Sequence, residues 1–423
     1  MSLDRLIAPQ ANAIQQLDLL EMESLTLNNG VPVKVLNHGT AELIEFEIIF
    51  KAGSRFQTEP LVSNFANLLF LEGNSKFTSK EINDGLDFYG SFFNVEVVKD
   101  FSSLKVYTLK KYLKEVLKII TPSLNSATFP ENEFQILLNN KRSKFKVQSE
   151  KVDFKCRQIF TESLFKNGSY GQIAHLTDYD HLTLEKVKQF YLDYYTKGYQ
   201  ILMAGHIDNT VIDCFNEAFD GLPYELEPNA VVYSEGQMVK GNIFEEKEGA
   251  IQSALRVGRS MFNMDHEDFT KMKFVSTLLG GYFGSRLMMN IREDKGYTYG
   301  IGSGMIAYEN SGVFLIASEV GGDVCADALK EVYFEIDRLK TEKVSDDEIA
   351  LVKNFMLGSL LRSLDGPFDL MEAYKQVMLS DKKYKYYQDL VETINNMTAE
   401  DVMEMSQKYL NKEDLLEVVA GKL

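Results

Sequence analysis

Alternating apolar and polar positions predict strands over residues 24–37 and 43–52, and a 3.6-residue apolar period predicts helices near 62–71 and over 78–89. Two further strands follow over 91–98 and 101–108, and then two long helices over 111–124 and 131–147. The turn Asn28-Asn29-Gly30 and the pair Lys99-Asp100 separate neighbouring strands so tightly that the strands must pair antiparallel. Helices gathered mainly on one face of such a sheet define an α+β fold.

The pattern repeats. LTLEKVKQFYLDYYTKGYQILMAG (182–205) resembles MTAEDVMEMSQKYLNKEDLLEVVAG near the C-terminal end. Thr183/Thr398, Glu185/Glu400, Val187/Val402, Tyr194/Tyr409 and Lys197/Lys412 pair at a shift of 398 − 183 = 215. One gap then brings Ala204-Gly205 onto Ala420-Gly421. Each copy carries a helix-start signature, an amphipathic helix and a strand running into Ala-Gly. At the same shift FPENEF, opening the 131–147 helix, falls on VSDDEI, with Glu133 on Glu348 and Asn139 on Asn354. Further upstream Tyr89-Gly90 falls on Tyr299-Gly300 at 299 − 89 = 210. The chain therefore reads as two tandem, structurally similar domains, 1–225 and 226–423. The junction lies near GLPYELEPNA (221–230), where Pro223 and Pro228 bracket acidic residues as in a linker.

Length and composition narrow the class. The 423 residues exceed one ordinary core, and 45% apolar with 25% charged residues is a globular mixture. Lys+Arg of 45 against Asp+Glu of 62 leaves a net charge of −17, a field that repels phosphate backbones and anionic lipid, so neither nucleic acid nor membrane is an expected partner. The acidity favours basic peptides as ligands or simply solubilises the surface. Cys156, Cys214 and Cys325 form no CxxC, are odd in number and read as buried thiols of a reducing compartment. No basic leader and no apolar run of membrane-spanning length is visible at the N-terminal end, which predicts a cytoplasmic protein.

Most familiar chemistry is missing. No two of His38, His175, His181, His206 and His266 stand at i, i+4 on a helix, and GxSxG and GK[ST] are both absent. His175 and His181 read as surface residues. The dense segment GGYFGSRLMMNIREDKGYTYGIGSGM (280–305) remains. Its first part is helical, with Leu287, Met288 and Ile291 on one face; Lys295-Gly296 breaks the helix and 297–304 alternates as a strand. Arg292 falls in the last helical turn and Tyr299 at the opening of the strand. A guanidinium fork and a phenol hydroxyl meeting on one rim would suit a carbonyl oxygen or a carboxylate. The other reading has Arg292 stabilising a helix C-terminus, Tyr299 half-buried in a sheet and the glycines packing against neighbours.

This segment resembles the insulinase/pitrilysin family of zinc peptidases, which includes the mitochondrial processing peptidase. The family pattern stands here as Gly280-Gly281, Ser285-Arg286-Leu287, Ile291-Arg292-Glu293, Gly296 and Tyr299. NGVPVKVL (29–36) and IIFKAGSR (48–55) extend the resemblance over nearly the whole chain. The family's first domain carries the inverzincin motif HxxEH, two zinc ligands and a general base. The corresponding slots here hold Asn64, Asn67 and Leu68, and residues 141–145, where a third ligand is expected, contain no carboxylate. The resemblance implies a 1–225 domain stripped of its zinc motif and a 226–423 domain that keeps the Arg/Tyr pair. It implies no metal in this chain and zinc on an HxxEH-bearing paralogous partner. Arg292 and Tyr299 are then catalytic in trans, reaching the scissile carbonyl of a peptide that pairs with a sheet edge inside a closed chamber. The alternative it leaves is a pseudopeptidase with a structural or peptide-holding role, and self-association is expected to be possible without the partner. A standalone hydrolase finds no constellation to rest on.

Overall fold

A computed structural model of the chain describes residues 14, 17, 19–222, 224–225 and 233–422. Chain order in the first half is β1 (Glu23–Thr26), β2 (Pro32–Asn37), β3 (Leu43–Phe50), α1 (Val62–Leu69), α2 (Ser79–Phe88), β4 (Phe92–Val97), β5 (Ser102–Leu109), α3 (Leu113–Ile120), α4 (Ser123–Ser126), α5 (Glu131–Ser149), α6 (Val152–Leu164), α7 (Asp178–His181), α8 (Leu184–Tyr194), β6 (Gln200–Gly205) and α9 (Asn209–Phe219). The second half runs β7 (Gly241–Glu246), β8 (Gln252–Met261), α10 (Phe269–Ser276), β9 (Thr298–Ala307), β10 (Gly312–Gly321), α11 (Cys325–Thr341), α12 (Asp346–Arg362), α13 (Pro367–Val377), α14 (Lys385–Asn396), α15 (Ala399–Tyr409) and β11 (Leu416–Gly421).

The duplication is visible element by element. Five strands order as β2-β6-β3-β5-β4 in one sheet and β7-β11-β8-β10-β9 in the other, with β1 added beside β2. Both sheets are antiparallel except for one pair each, β2 with β6 and β7 with β11. At the shift of 215 the first residues of α5, α6 and α8 fall on those of α12, α13 and α15. Thr183 and Thr398 cap their helices by accepting from the Lys186 and Asp401 amides, as the start signatures predict. The predicted 111–124 helix is divided into α3 and α4, because Pro122 cannot supply the N–H that a continuous helix needs. The junction at 225/226 borders 226–232, outside the described residues.

One face of each sheet packs on its own half's helices. In β3, Ile44, Phe46, Ile48 and Phe50 point into the core with Phe65 and Leu69 of α1 and Val187 of α8. In the second sheet Leu255, Val257, Phe314 and Ile316 play this part against Val332 of α11 and Val402 of α15. The opposite faces are covered reciprocally. Helix α6 of the first half lays Cys156, Phe160 and Leu164 on Ala254, Leu416, Val418 and Ala420 of the second sheet. Its repeat equivalent α13 lays Leu370, Met371 and Tyr374 on Leu36, Ile49, Leu202 and Ala204 of the first. Each half therefore completes the other's sheet, a layer that a strand's apolar alternation alone does not announce.

Two polar features seal the seam. Under α13, Glu45 and Glu47 of β3 point away from the core but stay buried: Lys105 lies 3.2 Å from Glu45, and Lys375 lies 3.2 Å from Glu47 and 3.0 Å from Glu372. Burial pushes the Glu45 carboxyl above its ordinary range, with Lys105 opposing. At the hairpin turns Arg55 pairs with Asp100 at 2.8 Å and with Glu309, while Asp100 accepts from the Tyr170 hydroxyl at 2.6 Å and from the Glu309 amide at 3.0 Å. Asp100 joins the β4–β5 and β9–β10 turns, which the duplication makes equivalent. Cys156 and Cys325 are buried free thiols as expected, but Cys214, on the outer helix α9, is only half-buried. His175 and His181 are exposed.

Candidate functional site

The Arg/Tyr segment is built as a pinned helix, a break and a bulge. Leu287 and Ile291 are fully buried and fix one face of the helix that opens after Tyr282. Behind it, the Arg286 guanidinium forks onto Glu348 of α12 at 2.8 and 3.0 Å, and the Asn290 amide donates to Glu331 and Glu335 of α11 at 3.0 and 2.7 Å. Residues Met288–Asp294 wind with the wider π pitch, and the Lys295 amide accordingly reaches back to the Asn290 carbonyl at 3.1 Å. Arg292 sits in this turn with its guanidinium 4.7 Å above the Phe283 ring and 3.6 Å from Glu293, and remains partly exposed.

Gly296, at φ +66°, then turns the chain into β9. Here Thr298 pairs with Val320 and Ile301 with Ser318, so Tyr299 and Gly300 stand opposite the single residue Glu319. This is a β-bulge on an edge strand, a device that re-aims a side chain. Two hydroxyls stabilise it: Thr298 donates to the Glu319 carbonyl at 2.6 Å, and Ser318 donates to the Gly300 carbonyl at 2.9 Å. The Tyr299 ring stands 93% exposed, not half-buried in the sheet. The glycines ahead of it do pack: a Cβ on Gly280 would lie 2.6 Å from the Ser303 amide of β9.

The first-half positions are closed to comparable chemistry. Helix α1 presents Val62, Phe65, Ala66 and Leu69 to the core, leaving Asn64 and Leu68 partly exposed and Asn67 99% buried at 1% exposure. The Asn67 amide donates to the Glu96 carbonyl of β4 at 2.6 Å and the Ser103 carbonyl of β5 at 3.4 Å. Its Oδ1 has no hydrogen-bond partner among the described residues. One amide oxygen, a second asparagine and a leucine do not fit zinc, and among the described residues no group of three or more His, Cys, Asp or Glu is arranged so that it could hold a metal ion. On α5, residues 141–145 contribute no carboxylate; Arg142 pairs outward with Asp180 at 2.7 Å, and Phe145 packs on the core. The structure thus places Arg292 and Tyr299 in the second half and Asn64, Asn67 and Leu68 in the first. Sequence reasoning missed the supports, Arg286–Glu348, Asn290 and the Thr298/Ser318 hydroxyls, because each acts through a partner remote in the chain.

Residues 181–356 match the family described as Peptidase M16 inactive domain, a span that contains the whole Arg/Tyr segment. The chain is similar to the uncharacterized zinc protease YmxG of Bacillus subtilis, 23% identical over 93% of this chain and 97% of that one. It is also similar to the probable inactive metalloprotease YmfF of the same organism, 21% identical over 74% of each chain. A crystal structure of a peptidase M16 inactive domain from Pseudomonas fluorescens shares the fold at a TM-score of 0.84, with 21% identity over 96% of this chain and 99% of that one. The family match over 181–356 and these similarities relate the chain to M16, insulinase/pitrilysin-like proteins, and its own sequence has Asn64, Asn67 and Leu68 in the first half and Arg292 and Tyr299 inside the matched span. No helix among the described residues is long and apolar enough to cross a membrane.

Proposed function

We propose that this chain is the non-zinc subunit of a heteromeric metallopeptidase and supplies Arg292 and Tyr299 to hold the substrate carbonyl during peptide cleavage. The observation that carries the reading is the accessibility of the pair: a bulge leaves Tyr299 93% exposed, a pinned π turn leaves Arg292 partly exposed, and among the described residues no carboxylate binds the guanidinium bidentately. An HxxEH-bearing paralogous partner provides zinc and general base. The Arg292 fork and the Tyr299 hydroxyl donate to the carbonyl oxygen as negative charge develops on it, an interaction strongest in the transition state. Residues 1–225 and 226–423 serve as the two repeats of one subunit. The free thiols and the lack of a membrane-crossing helix among the described residues support a cytoplasmic setting.

The test is hydrolysis of a quenched fluorescent peptide by this chain, by an HxxEH-bearing relative from the same genome, and by the mixture. Activity confined to the mixture is expected. In that mixture Arg292→Ala or Tyr299→Phe lowers turnover by about 10–1000-fold while the complex persists on size exclusion. Unchanged turnover removes both residues from the mechanism. The Asn67 tie to two backbone carbonyls favours a second reading, a pseudopeptidase that holds peptide or scaffolds a complex. Peptide binding by the chain without cleavage in any mixture would select it.

A further inference from the structure

A cavity of about 430 Å³ lies in the seam between the halves, and neither Arg292 nor Tyr299 lines it. The volume is that of a small-molecule site. Aromatic walls come from both halves: Phe101 from the β4–β5 turn, Tyr308 from the β9–β10 turn, Phe269 from α10 and Tyr386 from α14. The carboxylates on its border are already engaged. Asp100 and Glu309 are held by Arg55, Glu372 by Lys105 and Lys375, and Glu96 by Lys375. Asp265 accepts from the Ser380 hydroxyl at 2.5 Å and the Asp381 amide at 3.1 Å.

The other two lysines facing this space have no carboxylate within 4.0 Å among the described residues. Lys99 donates to the carbonyls of Tyr170 at 2.8 Å and Gln172 at 3.3 Å; Lys273 donates to the Tyr386 hydroxyl at 3.1 Å. An ammonium has three donors, so one on Lys99 and two on Lys273 are uncommitted. Beside the aromatic walls, an ammonium with no carboxylate in direct contact is costly to bury. Burial pushes the Lys99 ammonium down to about 8 against the opposing pull of Asp100, and a bound anion would add to that pull.

We propose that the seam cavity binds a monocarboxylate with an apolar body, the carboxylate held by Lys99 and Lys273 and the body packed among Phe101, Phe269, Tyr308 and Tyr386. The inference does not depend on the peptidase reading. A free organic acid and the C-terminus of a peptide present the same group, and the experiment separates them. The full chain is titrated calorimetrically with 3-phenylpropanoate, 3-phenylpropanamide, and a tripeptide ending in phenylalanine as free acid or amide. At least one acid binds saturably, and its amide binds about tenfold or more weakly. Lys273→Met weakens the acid by about tenfold and leaves the amide unchanged. On the wild-type protein the bound acid slows acylation of Lys99 and Lys273, while exposed Lys80 reacts as before. Binding of the tripeptide acid without phenylpropanoate identifies a chain terminus, and the converse identifies a free acid. Equal binding of acid and amide, no saturable binding of any probe, or unprotected Lys99 and Lys273 overturns the proposal.

Discussion

Asn67 shows how a buried amide can tie a helix to two strands. A carboxylate has acceptors only, whereas the asparagine amide here donates to two strand carbonyls. Asn67→Asp turns a buried donor into an acceptor facing other acceptors, and should lower stability by roughly 1–3 kcal/mol in urea unfolding. An unchanged midpoint would show that the amide is not engaged. The residue types at 64, 67 and 68 were readable from the sequence, and none of the three is a good zinc ligand. What Asn67 does instead was not, because the Glu96 and Ser103 carbonyls are brought to it only by strand pairing. Lys99 carries a second prediction. With its folded value lowered to about 8 from the ordinary 10.5, the unfolded chain holds more protons between those limits, so this group's contribution raises stability as pH increases through that window. Below pH 8 its full penalty is present. Cys325, pushed up to about 11 by burial, acts in the opposite sense, so the readout is the wild-type minus Lys99→Met difference in unfolding free energy. That difference should climb from pH 8 to 10.5 and be flat below; a flat curve throughout contradicts the burial argument.

At the scale of elements, the helix, break and strand of 280–305 were legible because apolar spacing changes from 3.6 to 2 across Lys295-Gly296. The π turn and the bulge were not. They depend on Asn290 meeting α11, Arg286 meeting Glu348 sixty-two residues away, and a β10 register that cannot be set from β9 alone. Tyr89-Gly90, aligned by the duplication with Tyr299-Gly300, marks the same limit: Tyr89 ends α2 three residues before β4 begins, whereas Tyr299 is already inside β9. The two glycines near Tyr299 can be told apart by substitution. Gly296 has a left-handed φ with no neighbour crowding it, so Gly296→Ala should cost about 1 kcal/mol from the backbone alone. Gly300 has neither a positive φ nor a crowded Cβ site, and Gly300→Ala should be nearly neutral. Equal effects in urea unfolding would refute the assignment of the turn to Gly296.

For the whole molecule, the repeat shift of 215 disclosed two halves but not that they exchange α6 and α13. A helix with apolar residues at 156, 160 and 164 reads equally well against any sheet, and only the assembled geometry selects the other half's. Expressed separately, 1–225 and 226–423 should each be aggregation-prone, since each leaves a sheet face and a helix stripe uncovered; produced together, they should reassociate into one soluble complex on size exclusion. Two well-behaved independent monomers would contradict the exchange.

The same exchange sets a timetable for synthesis. The first sheet is complete in sequence at Gly205, but the helix that covers its outer face ends at Val377, 377 − 205 = 172 residues later. At about 5–20 residues per second the nascent chain carries Leu36, Ile49, Leu202 and Ala204 without their cover for roughly 10–35 s. The ribosome-bound first half is thus the form of this protein most in need of a chaperone, and Glu45 and Glu47, still hydrated on that face, keep it soluble while it waits.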